Sequence, residues 1–567
     1  MNILLIAPRG ITSDRINYQY LFPLGLAYIS AVLKQAGHEV TCLNHNHFAE
    51  PIEDLLDKFF SLNGKYDFVC TGSISHFYRQ VKIIVDAVRK RDKNTGIILG
   101  GGVISSEPEL IFNELKPDYV VIGEGEKTIL ALLDCLENKA DISNIAGIGY
   151  RSKDNRFVCN KAQTPIMDLD NIPLPDLEGF EFEKYLDHLR PTDQYFYDLY
   201  DYPRVYPIIC SRSCPFLCTF CFHPLGNKYR QRSVESVIQE LTLAVKRYKI
   251  NTIAIYDELF SNNQQWVNEF CKRFKELASN LSWECKWSCQ MRVDKVSDEM
   301  LRAMKDSGCY LVSYGFESYS PVILKSMKKH ITPQAIDRAI YLTLKNDISI
   351  QANFIFGDVV ETAQTARETL DYWKQHIEAG IQLAFIMPYP GTHLYKSCLE
   401  RGIIKDRIDF ISSRLDSEPI NMTKTMSDKE FRKLEFEVHD TYRRYRAYAV
   451  AHKLKMNKEG TFSLCVKCPY CRKSVEYGNL FLLTKFNFML TMYCRFCRRR
   501  FFLVPGFLWV VLKMSSIFYG IIPLRLKIPI YNLFQKIKNR VYGFAQQPKV
   551  KNFIKRYILR VNRYRDE

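Results

Sequence analysis

The chain has 567 residues, enough for roughly three or four domains of ordinary size. Its net charge of +17 is unevenly distributed, because residues 498–567 hold 16 Lys or Arg against two carboxylates. This asymmetry excludes a uniformly basic protein and predicts a basic tail that meets an anionic partner, either lipid or nucleic acid.

Cysteine is frequent, with 18 residues, and its spacing indicates metal binding. In a chain without a secretory signal, C-x2-C and C-x3-C groups favour metal ligation over disulfides. The N-terminal sequence lacks a basic leader and is typical of a first β-strand. We therefore expect a reducing cytoplasm. Seven cysteines lie in such groups: Cys214, Cys218, Cys221, Cys468, Cys471, Cys494 and Cys497.

Residues 1–160 alternate short apolar runs with helical patterns, which predicts an α/β domain with a doubly wound parallel sheet. Ligands of such sheets bind beyond the carboxyl ends of the strands. Glycines at three of these ends let the backbone approach a large ligand closely. The predicted strands are 2–8, 39–44, 68–72, 96–99 and 119–122, and the predicted helices are 24–36, 80–91 and 127–137.

These strand ends, together with Pro23-Leu24-Gly25-Leu26, make the whole segment similar to cobalamin-binding domains. The alternative is a degenerate domain that packs on the rest of the chain and binds no cofactor. The resemblance implies that cobalamin is held by Thr71, Ser73, Gly101, Gly102, Glu124 and Gly125.

Cobalamin domains that ligate cobalt through histidine carry Asp-x-His-x-x-Gly, which this sequence lacks. The candidate region is Asn44-His45-Asn46-His47-Phe48. We therefore expect no histidine on cobalt, and we expect His45 and His47 to lie at the surface.

Residues 161–204 are predicted to be a connector. The stretch Ile172-Pro-Leu-Pro-Asp176 is proline-rich and semi-rigid. The acidic, tyrosine-rich run at 193–202 is expected to cross the face between the flanking domains.

Three thiols lie within eight residues in Cys214-Pro-Phe-Leu-Cys218-Thr-Phe-Cys221, named the cluster loop below. Thiolates suit iron–sulfur clusters and zinc. A four-iron cluster normally takes four cysteines, so three leave one iron open. A zinc site or three ordinary buried thiols are the alternatives at this point.

The cluster loop resembles that of the radical S-adenosylmethionine (SAM) superfamily, including the aromatic Phe220 before its last cysteine. The resemblance implies that Cys214, Cys218 and Cys221 hold a [4Fe-4S] cluster. It also implies that SAM binds the open iron and is cleaved to a 5′-deoxyadenosyl radical, with Phe220 beside the adenine.

Residues 205–415 repeat strand–helix units, which resemble the partial (βα)6 barrel of this superfamily, with chemistry at the carboxyl ends of the strands. Cys210 and Cys289, near predicted strand ends, are expected to be small buried residues. The predicted strands are 207–209, 252–256, 286–290, 311–316, 351–356 and 382–386.

The same resemblance assigns SAM contacts to residues at these strand ends. Asp257 and Glu258 follow the second strand, where the family binds the amino end of SAM, although Gly-Gly-Glu is the common sequence there. Arg292 would meet the SAM carboxylate. Glu317, in Gly315-Phe-Glu-Ser318, faces the ribose.

Two further loops complete the predicted SAM site. Pro390, Gly391 and Thr392 belong to a Pro-x-Pro-Gly-Thr loop that meets adenine. After the fifth strand, the usual Gly-x-Pro-Gly-Glu-Thr is replaced by Gly357-Asp-Val-Val-Glu-Thr362, so we expect this loop to be reshaped.

Residues 416–460 are predicted to be a helical extension, in which Ser427-Asp-Lys-Glu430 is a capping box that opens a helix of about 28 residues. Residues 461–505 carry two C-x2-C pairs separated by 22 residues. These pairs predict a zinc-ribbon-like module with a structural zinc on Cys468, Cys471, Cys494 and Cys497. A second cluster is the competitor, and Cys465 is a spare thiol that can replace Cys471.

Residues 506–567 form a basic tail with apolar runs at 507–512 and 517–522, too interrupted for a clean membrane span. This composition predicts a segment that lies on an anionic membrane surface. Packing on the protein's own core is the alternative. Nucleic acid is the least favoured partner, because no base-reading motif is visible.

These patterns together predict a cytoplasmic radical SAM enzyme that the tail can place on the inner face of a membrane. Cobalamin would supply a methyl group to an unactivated carbon of a small-molecule or lipid-like substrate. An external donor such as a flavodoxin or ferredoxin would supply electrons. The alternatives are radical cyclisation or a C–C or C–O rearrangement with the same cofactors, or a non-catalytic cobalamin- or redox-responsive binding protein.

Overall fold

The computed structural model describes residues 1–10, 20–191, 199–260, 263–415, 418–457, 460–482 and 488–521. Three sheets of seven, six and five strands and one two-stranded ribbon organise these residues.

The N-terminal domain is built on the seven-stranded sheet. Its strands are β1 (Asn2–Ala7), β2 (Glu39–Asn44), β3 (Phe68–Gly72), β4 (Gly96–Gly100), β5 (Tyr119–Val121), β6 (Ile148–Arg151) and β7 (Phe157–Cys159). Its helices are Leu24–Gln35, Ile52–Asn63, Tyr78–Arg91, Gly102–Ser106, Pro108–Leu115 and Gly125–Glu137, with short 3-10 turns at His45–His47, Ser75–Phe77 and Ile142–Asn144. The strand order is β2-β1-β3-β4-β5-β6-β7.

Strands β1 to β5 are parallel, as predicted, and β6 and β7 add an antiparallel edge that no apolar run in the sequence indicated. The first strand is covered on both faces. Ile3 and Leu5 belong to one apolar cluster, and Leu4 and Ile6 belong to another. A parallel strand that is buried on both faces needs such a continuous apolar run, so its position can be predicted from the sequence.

The central domain is an open, all-parallel sheet of six strands in the order β8-β11-β12-β13-β14-β15. All six predicted strands are present. The strand bounds are β8 (Val205–Ile208), β9 (Ser211–Arg212), β10 (Arg230–Gln231), β11 (Thr252–Ile255), β12 (Lys286–Met291), β13 (Cys309–Glu317), β14 (Ser349–Phe356) and β15 (Gln382–Phe385). Strands β9 and β10 form the separate antiparallel ribbon at the base of the cluster loop.

Helices accompany the strands of this barrel and its flanks. They are Phe182–His188, Val234–Tyr248, Gln264–Ser279, Asp298–Asp306, Pro321–Ser326, Pro333–Lys345, Ala363–Gln375, His393–Glu400 and Arg407–Asp409, with 3-10 turns at Val293–Lys295 and Ile377–Ala379 and a π-turn at Phe410–Arg414.

The C-terminal module follows the helix Asp428–Tyr445. Its strands are β16 (Tyr448–Met456), β17 (Phe462–Lys467), β18 (Ser474–Leu480), β19 (Leu490–Tyr493) and β20 (Arg500–Val504), ordered β18-β17-β16-β20-β19, and the helix Gly506–Ile521 follows. The capping box at Ser427 is present. The helix has 18 residues and not about 28, because the chain from Tyr448 onward pairs with both β17 and β20. The module therefore begins at Tyr448, and the predicted boundary at 461 is wrong.

This module covers the amino-terminal ends of the barrel strands. The Tyr493 hydroxyl donates to the carbonyl of Ile350 at the start of β14, at 3.2 Å. The Tyr470 hydroxyl donates to the carbonyl of Ile377, just before β15, at 3.3 Å. The module thus lies at the end of the barrel opposite to the one where parallel barrels place their chemistry.

The end of the connector also lies under the barrel. Asp201 accepts hydrogen bonds from the Gly478 amide at 2.7 Å and from Arg495 at 2.6 Å. Tyr200 donates to Glu284, just before β12, at 2.8 Å. The expectation that this acidic run crosses the face between the flanking domains is therefore wrong for residues 199–202, and residues 193–198 lie outside the described part of the chain.

The N-terminal domain and the barrel share an apolar core. Ile6 and Ile104 belong to the same buried cluster as Met327, Ile386 and Leu394. The carboxyl ends of the two parallel sheets meet here. A Cβ placed on Gly123, after β5, would lie 3.9 Å from the carbonyl oxygen of Pro224, three residues beyond the cluster loop.

Within the described residues, no helix is long and apolar enough to cross a membrane.

Candidate active site

The cluster loop is closed at its base by the β9–β10 ribbon and braced from two sides. Cys218 is buried, whereas Cys221 is exposed. The Thr219 amide donates to the Met327 carbonyl at 3.1 Å, and its own carbonyl accepts from Leu394 at 2.9 Å. Three thiols on a braced loop match the donor set of a four-iron cluster with one open iron.

Arg292, which was predicted to meet the SAM carboxylate, lies beside the cluster loop. Its guanidinium stacks on Phe216 within the loop, with 3.6 Å from Cζ to the ring centroid. It pairs with Asp294 at 2.9 Å and donates to the carbonyls of Lys329 and His330 at 3.1 Å each. These bonds make Arg292 a brace of the loop in addition to a nearby positive charge.

Lys329 is a site residue that no sequence pattern singled out, because it follows a helix and not a strand. Its ammonium pairs with Glu317 at 2.8 Å and lies 5.8 Å from the centroid of the Phe220 ring. Burial lowers the pKa of Lys329, but Glu317 and the Cys218 thiolate outweigh it and hold the pKa above its usual value. A Cβ on Gly315 would collide with the ends of both side chains, so a larger residue there would displace this pair.

Asp257 and Glu258 take different positions. Asp257 is 1% exposed and accepts from the Cys210 amide at 2.7 Å and the Ser211 hydroxyl at 2.8 Å. Burial raises its pKa to about 7. It fastens β9 to the end of β11, which differs from its predicted contact with SAM. Glu258 is exposed and lies 3.7 Å from the His223 ring, two residues past the cluster loop, so it is the carboxylate on the cofactor side.

The loop after β14 closes on its own carboxylates. Asp358 accepts from the Ser326 hydroxyl at 2.6 Å. Glu361 accepts from the Gly357 amide at 2.9 Å and the Thr365 hydroxyl at 3.0 Å, and burial raises its pKa to about 7. These contacts hold the loop to itself through Glu361 and to the helix Pro321–Ser326 through Asp358, and the reshaping of the loop stays a prediction.

The Pro390-Gly391-Thr392 loop packs against the end of the cluster loop. Gly391 has a φ of 85°, and an added Cβ would collide with the Phe222 ring. Thr392 caps the helix His393–Glu400. These contacts place the loop where it can line a cofactor held by the three cysteines.

The predicted cobalamin residues divide into internal and open positions. The Thr71 hydroxyl donates to the Ile6 carbonyl at 2.7 Å and is buried. A Cβ on Gly101 would lie 2.9 Å from the Ser73 carbonyl oxygen, and one on Gly125 would lie 2.8 Å from Ile29. The Thr71 hydroxyl is therefore engaged within the domain, whereas Gly101 and Gly125 fit their close neighbours without a side chain, and their contact with cobalamin stays a prediction.

Other rim positions remain open. A Cβ on Gly100 or Gly123 would meet nothing closer than 3.8 Å, and one on Gly102 would meet nothing closer than 3.5 Å. Ile74, beside Gly102, is 60% exposed. Glycine backbone without side chains, next to the exposed apolar side chain of Ile74, leaves room for the flat ring of a corrin.

His45 and His47 are buried, so the expectation that they lie at the surface is wrong. His47 contacts Glu181 at 3.0 Å through Nδ1 and the Tyr20 hydroxyl through Nε2. Burial lowers the pKa of His45 to about 4. Both ring nitrogens of His47 are engaged within the protein, and the absence of a histidine ligand on cobalt stays a prediction.

Glu124 was also predicted to contact cobalamin, but it lies in a buried ion cluster. It pairs with Arg230 at 2.7 Å and with Arg212 at 3.0 Å. Its carboxylate is therefore engaged by the barrel side of the interface, which corrects the prediction.

The four cysteines of the C-terminal module form a second group. Their sulfur atoms all lie within 4.8 Å of one another. One pair lies in the turn between β17 and β18, and the other lies in the turn between β19 and β20. Cys465 is outside the group and donates to Glu476 at 3.2 Å, so it does not replace Cys471. Four gathered thiols suit one tetrahedral metal ion.

Two protein-family profiles match the chain. One, described as the B12 binding domain, covers residues 18–133, and the other, the radical SAM superfamily, covers residues 208–372. An uncharacterized methyltransferase of Pyrococcus horikoshii is 30% identical over 390 residues, 67% of this chain and 79% of that protein.

Two further curated proteins are similar over long stretches. The cytidylyl-2-hydroxyethylphosphonate methyltransferase of Streptomyces wedmorensis is 25% identical over 498 residues, 79% of this chain and 91% of that one. The anaerobic magnesium-protoporphyrin IX monomethyl ester cyclase of Rubrivivax gelatinosus is 27% identical over 385 residues, 66% of each chain.

Solved structures share the fold. The radical SAM methyltransferase TsrM from Kitasatospora setae, with cobalamin and a [4Fe-4S] cluster bound, superposes with a TM-score of 0.56 at 17% identity, over 70% of this chain and 76% of that one. The cobalamin-dependent S-adenosylmethionine radical enzyme OxsB superposes with a TM-score of 0.56 at 20% identity, over 75% of this chain and 58% of that one.

The cluster loop fits a [4Fe-4S] cluster with SAM, and the open rim of the N-terminal sheet fits cobalamin. The relatives are named as methyltransferases and cyclases, which supports an enzyme over the non-catalytic alternative. The chain therefore belongs to the radical SAM superfamily, in the branch of cobalamin-dependent, methyltransferase-type enzymes that carry a B12-binding domain ahead of the radical SAM domain.

Proposed function

We propose that this enzyme methylates an unactivated carbon of its substrate. The observation that carries the proposal is the close approach of the two sheets at Gly123 and Pro224, which puts the candidate cobalamin and SAM sites next to each other. When bound, the cluster and SAM supply a radical that removes a hydrogen atom, and cobalamin supplies the methyl group.

The chain's own residues would bind and shield SAM. Lys329 and Arg292 provide positive charge beside the cluster loop for the SAM carboxylate, and Glu258 provides negative charge for its amino group. Phe222 and the Gly391 turn form an apolar wall that keeps water from the reacting atoms.

Isotope labelling tests the reaction. Cells with and without the protein are grown on methionine with a deuterated methyl group, and their extracts, including membrane lipids, are compared by mass spectrometry. A product that depends on the protein and carries the label is expected. A protein-dependent product without the label would contradict methylation.

Radical cyclisation is the second candidate, favoured by the similarity to an anaerobic cyclase. The same labelling distinguishes it, because ring formation changes the mass of the product without adding a labelled methyl group.

The cluster needs an external electron donor, and we propose a flavodoxin or ferredoxin. Purified protein should cleave SAM with a reduced flavodoxin in place of a chemical reductant. If SAM is cleaved with the chemical reductant but not with a reduced flavodoxin or ferredoxin, this partner is contradicted.

The C-terminal module would hold a structural zinc on Cys468, Cys471, Cys494 and Cys497. The gathered sulfurs support one ion more than a second cluster, because a four-iron cube holds its ligands farther apart. Metal analysis of the cluster-loop triple alanine variant should find one zinc and no iron. Residual iron would support the second cluster.

The tail would place the enzyme on an anionic membrane, with a lipid-like substrate. Phe507, Val510, Val511 and Met514 are exposed at a spacing that puts them on one helical face. Residues 522–567, outside the described part, add 12 Lys or Arg. Basic residues near such a surface contribute up to about 1 kcal/mol each.

Vesicle flotation tests the membrane proposal. Full-length protein should float with anionic vesicles and less so at high salt, whereas a chain ending at Pro505 should not float. Val510→Asp should weaken flotation, and Leu243→Asp, at an exposed apolar position on a barrel helix, is the matched control. Equal behaviour of the full-length and shortened chains would remove the support for a lipid-like substrate.

A further inference from the structure

Two arginines face each other at the base of the cluster loop. Arg212 of β9 and Arg230 of β10 are direct partners in the antiparallel ribbon. Like charges at directly opposite positions repel. Both guanidiniums are largely buried, so solvent does little to screen this repulsion. The ribbon that closes the cluster loop therefore needs a counter-charge from elsewhere.

Glu124, from the N-terminal domain, is the counter-ion that both arginines share. It accepts from Arg230 at 2.7 and 2.8 Å and from Arg212 at 3.0 Å, and its second oxygen also accepts from the Ile166 amide at 2.6 Å. Glu126 takes the other end of Arg212 at 2.5 Å. Two carboxylates and two guanidiniums balance in charge, which is the condition for ions to persist in a buried site.

The position of this cluster in the chain connects the two cofactor sites. Glu124 directly follows Gly123 on the open rim assigned to cobalamin, and Arg212 lies two residues before Cys214. One carboxylate thus joins the loop that lines the corrin site to the ribbon that carries the iron–sulfur cluster. No apolar packing between these two loops would fix their distance as strictly as three charged hydrogen bonds do.

We propose that Glu124 is a positioning residue that sets the separation between cobalamin and the [4Fe-4S] cluster. It acts through Arg212 and Arg230 and not by touching either cofactor. The inference rests on the proposed function, in which the two cofactors act on one substrate. It adds the residue that fixes the distance between them.

Electron paramagnetic resonance tests this proposal without a substrate. Wild-type and Glu124→Gln proteins are loaded with cluster and cob(II)alamin, the cluster is reduced, and the dipolar coupling between the two spins is measured. Glutamine keeps the size and an acceptor for the Ile166 amide but removes the negative charge that the two arginines share, leaving Glu126 as the carboxylate beside Arg212. The cofactor content should be unchanged, and the coupling should shift or its distance distribution should broaden.

Glu240→Gln is the matched control. Glu240 pairs with Arg232 at 2.5 Å and is equally buried, but both residues lie within the barrel domain. Its coupling should equal that of the wild type. Wild-type coupling in Glu124→Gln, or an equal change in Glu240→Gln, would overturn the proposal.

Arg212→Gln decides the case if Glu124→Gln does not load both cofactors. This variant keeps the pair between Arg230 and Glu124. The dipolar coupling between its cluster and cob(II)alamin should also differ from the wild-type value, and an unchanged coupling would overturn the proposal. Wild-type protein without a cob(II)alamin signal would refute the cobalamin assignment itself and this inference with it, a result distinct from the variant outcomes.

Discussion

The two ends of the barrel carry different kinds of polar group. At the carboxyl end, the strands lead into thiols, the Lys329–Glu317 pair and the exposed Glu258. At the amino end, the C-terminal module mostly presents tyrosine hydroxyls and arginines, which donate to backbone carbonyls such as those of Ile350 and Gly380.

Two buried carboxyl groups at the carboxyl end of the barrel have shifted pKa values. At the carboxyl end, burial raises the pKa of both Asp257 and Glu361 to about 7. Burial of a carboxyl group reduces stability, and here both groups hold segments that border the site. The comparison teaches that one end of the barrel is built for chemistry and the other for closure, so substitutions at the two ends should have different consequences.

The largest expected effect is at the carboxyl end. Changing Cys214, Cys218 and Cys221 together to alanine should abolish four-iron absorbance and SAM cleavage, because no ligand set for the cluster remains. Cys398→Ala, at a buried thiol outside both metal sites, should retain both. Anaerobic reconstitution followed by measurement of 5′-deoxyadenosine checks this, and SAM cleavage by the triple variant would disprove the cluster assignment.

The next effect is at the amino end and concerns stability. Cys494→Ala removes one of four gathered thiols and should release zinc, lowering the free energy of unfolding of the module by about 4 kcal/mol or more. The folded fraction should still bind a four-iron cluster. Urea unfolding with metal analysis checks this, and loss of cluster binding in folded protein would contradict the separation of the two ends.

A pH dependence should distinguish the carboxyl end. The pKa of Glu361 is raised from 4.5 to about 7, so its stabilising contribution is complete below about pH 4.5 and lost as the pH rises through 7. Relative to Glu361→Gln, the wild type should lose about 3 kcal/mol of stability between pH 4.5 and 8.

Urea midpoints of both proteins at several pH values provide this measurement. Glu435→Gln, on the helix Asp428–Tyr445, is a second glutamate change for comparison. A constant difference between wild type and Glu361→Gln across the range would show that the carboxyl group is already ionised.

The smallest effect should come from Asp201→Asn at the amino end. Its carboxylate is 38% exposed, so loss of its ion pair with Arg495 should cost at most about 1 kcal/mol. SAM cleavage should remain at the wild-type rate. A reduced rate with an unchanged unfolding midpoint would mean that the amino end also takes part in the chemistry.

Local patterns in the sequence were sufficient for much of the fold. The apolar run of β1 was predictable, because a strand buried on both faces must be apolar along its whole length. The six barrel strands were predictable from the repeated alternation of strand and helix patterns. The cluster loop was predictable because its ligands lie within eight residues. The helix after Ser427 was placed correctly at its start, where the capping box is local, and wrongly at its end, where pairing with β20 decides.

The roles of individual polar residues depended on contacts between distant segments. Asp257 and Glu258 are adjacent, and only the packing of β9 decides which of them is buried. Lys329 carries no sequence signal, because its partner Glu317 lies on another element.

By itself, the sequence determined the superfamily, the order of the domains and both cysteine groups, since each depends on residues that are close together in the chain. Only the tertiary structure decided that the C-terminal module closes the amino end of the barrel. It also decided that Glu124 pairs with Arg212 and Arg230, 88 and 106 residues away. A charged side chain can be satisfied by many partners, and which one it meets is settled only when the sheets pack together.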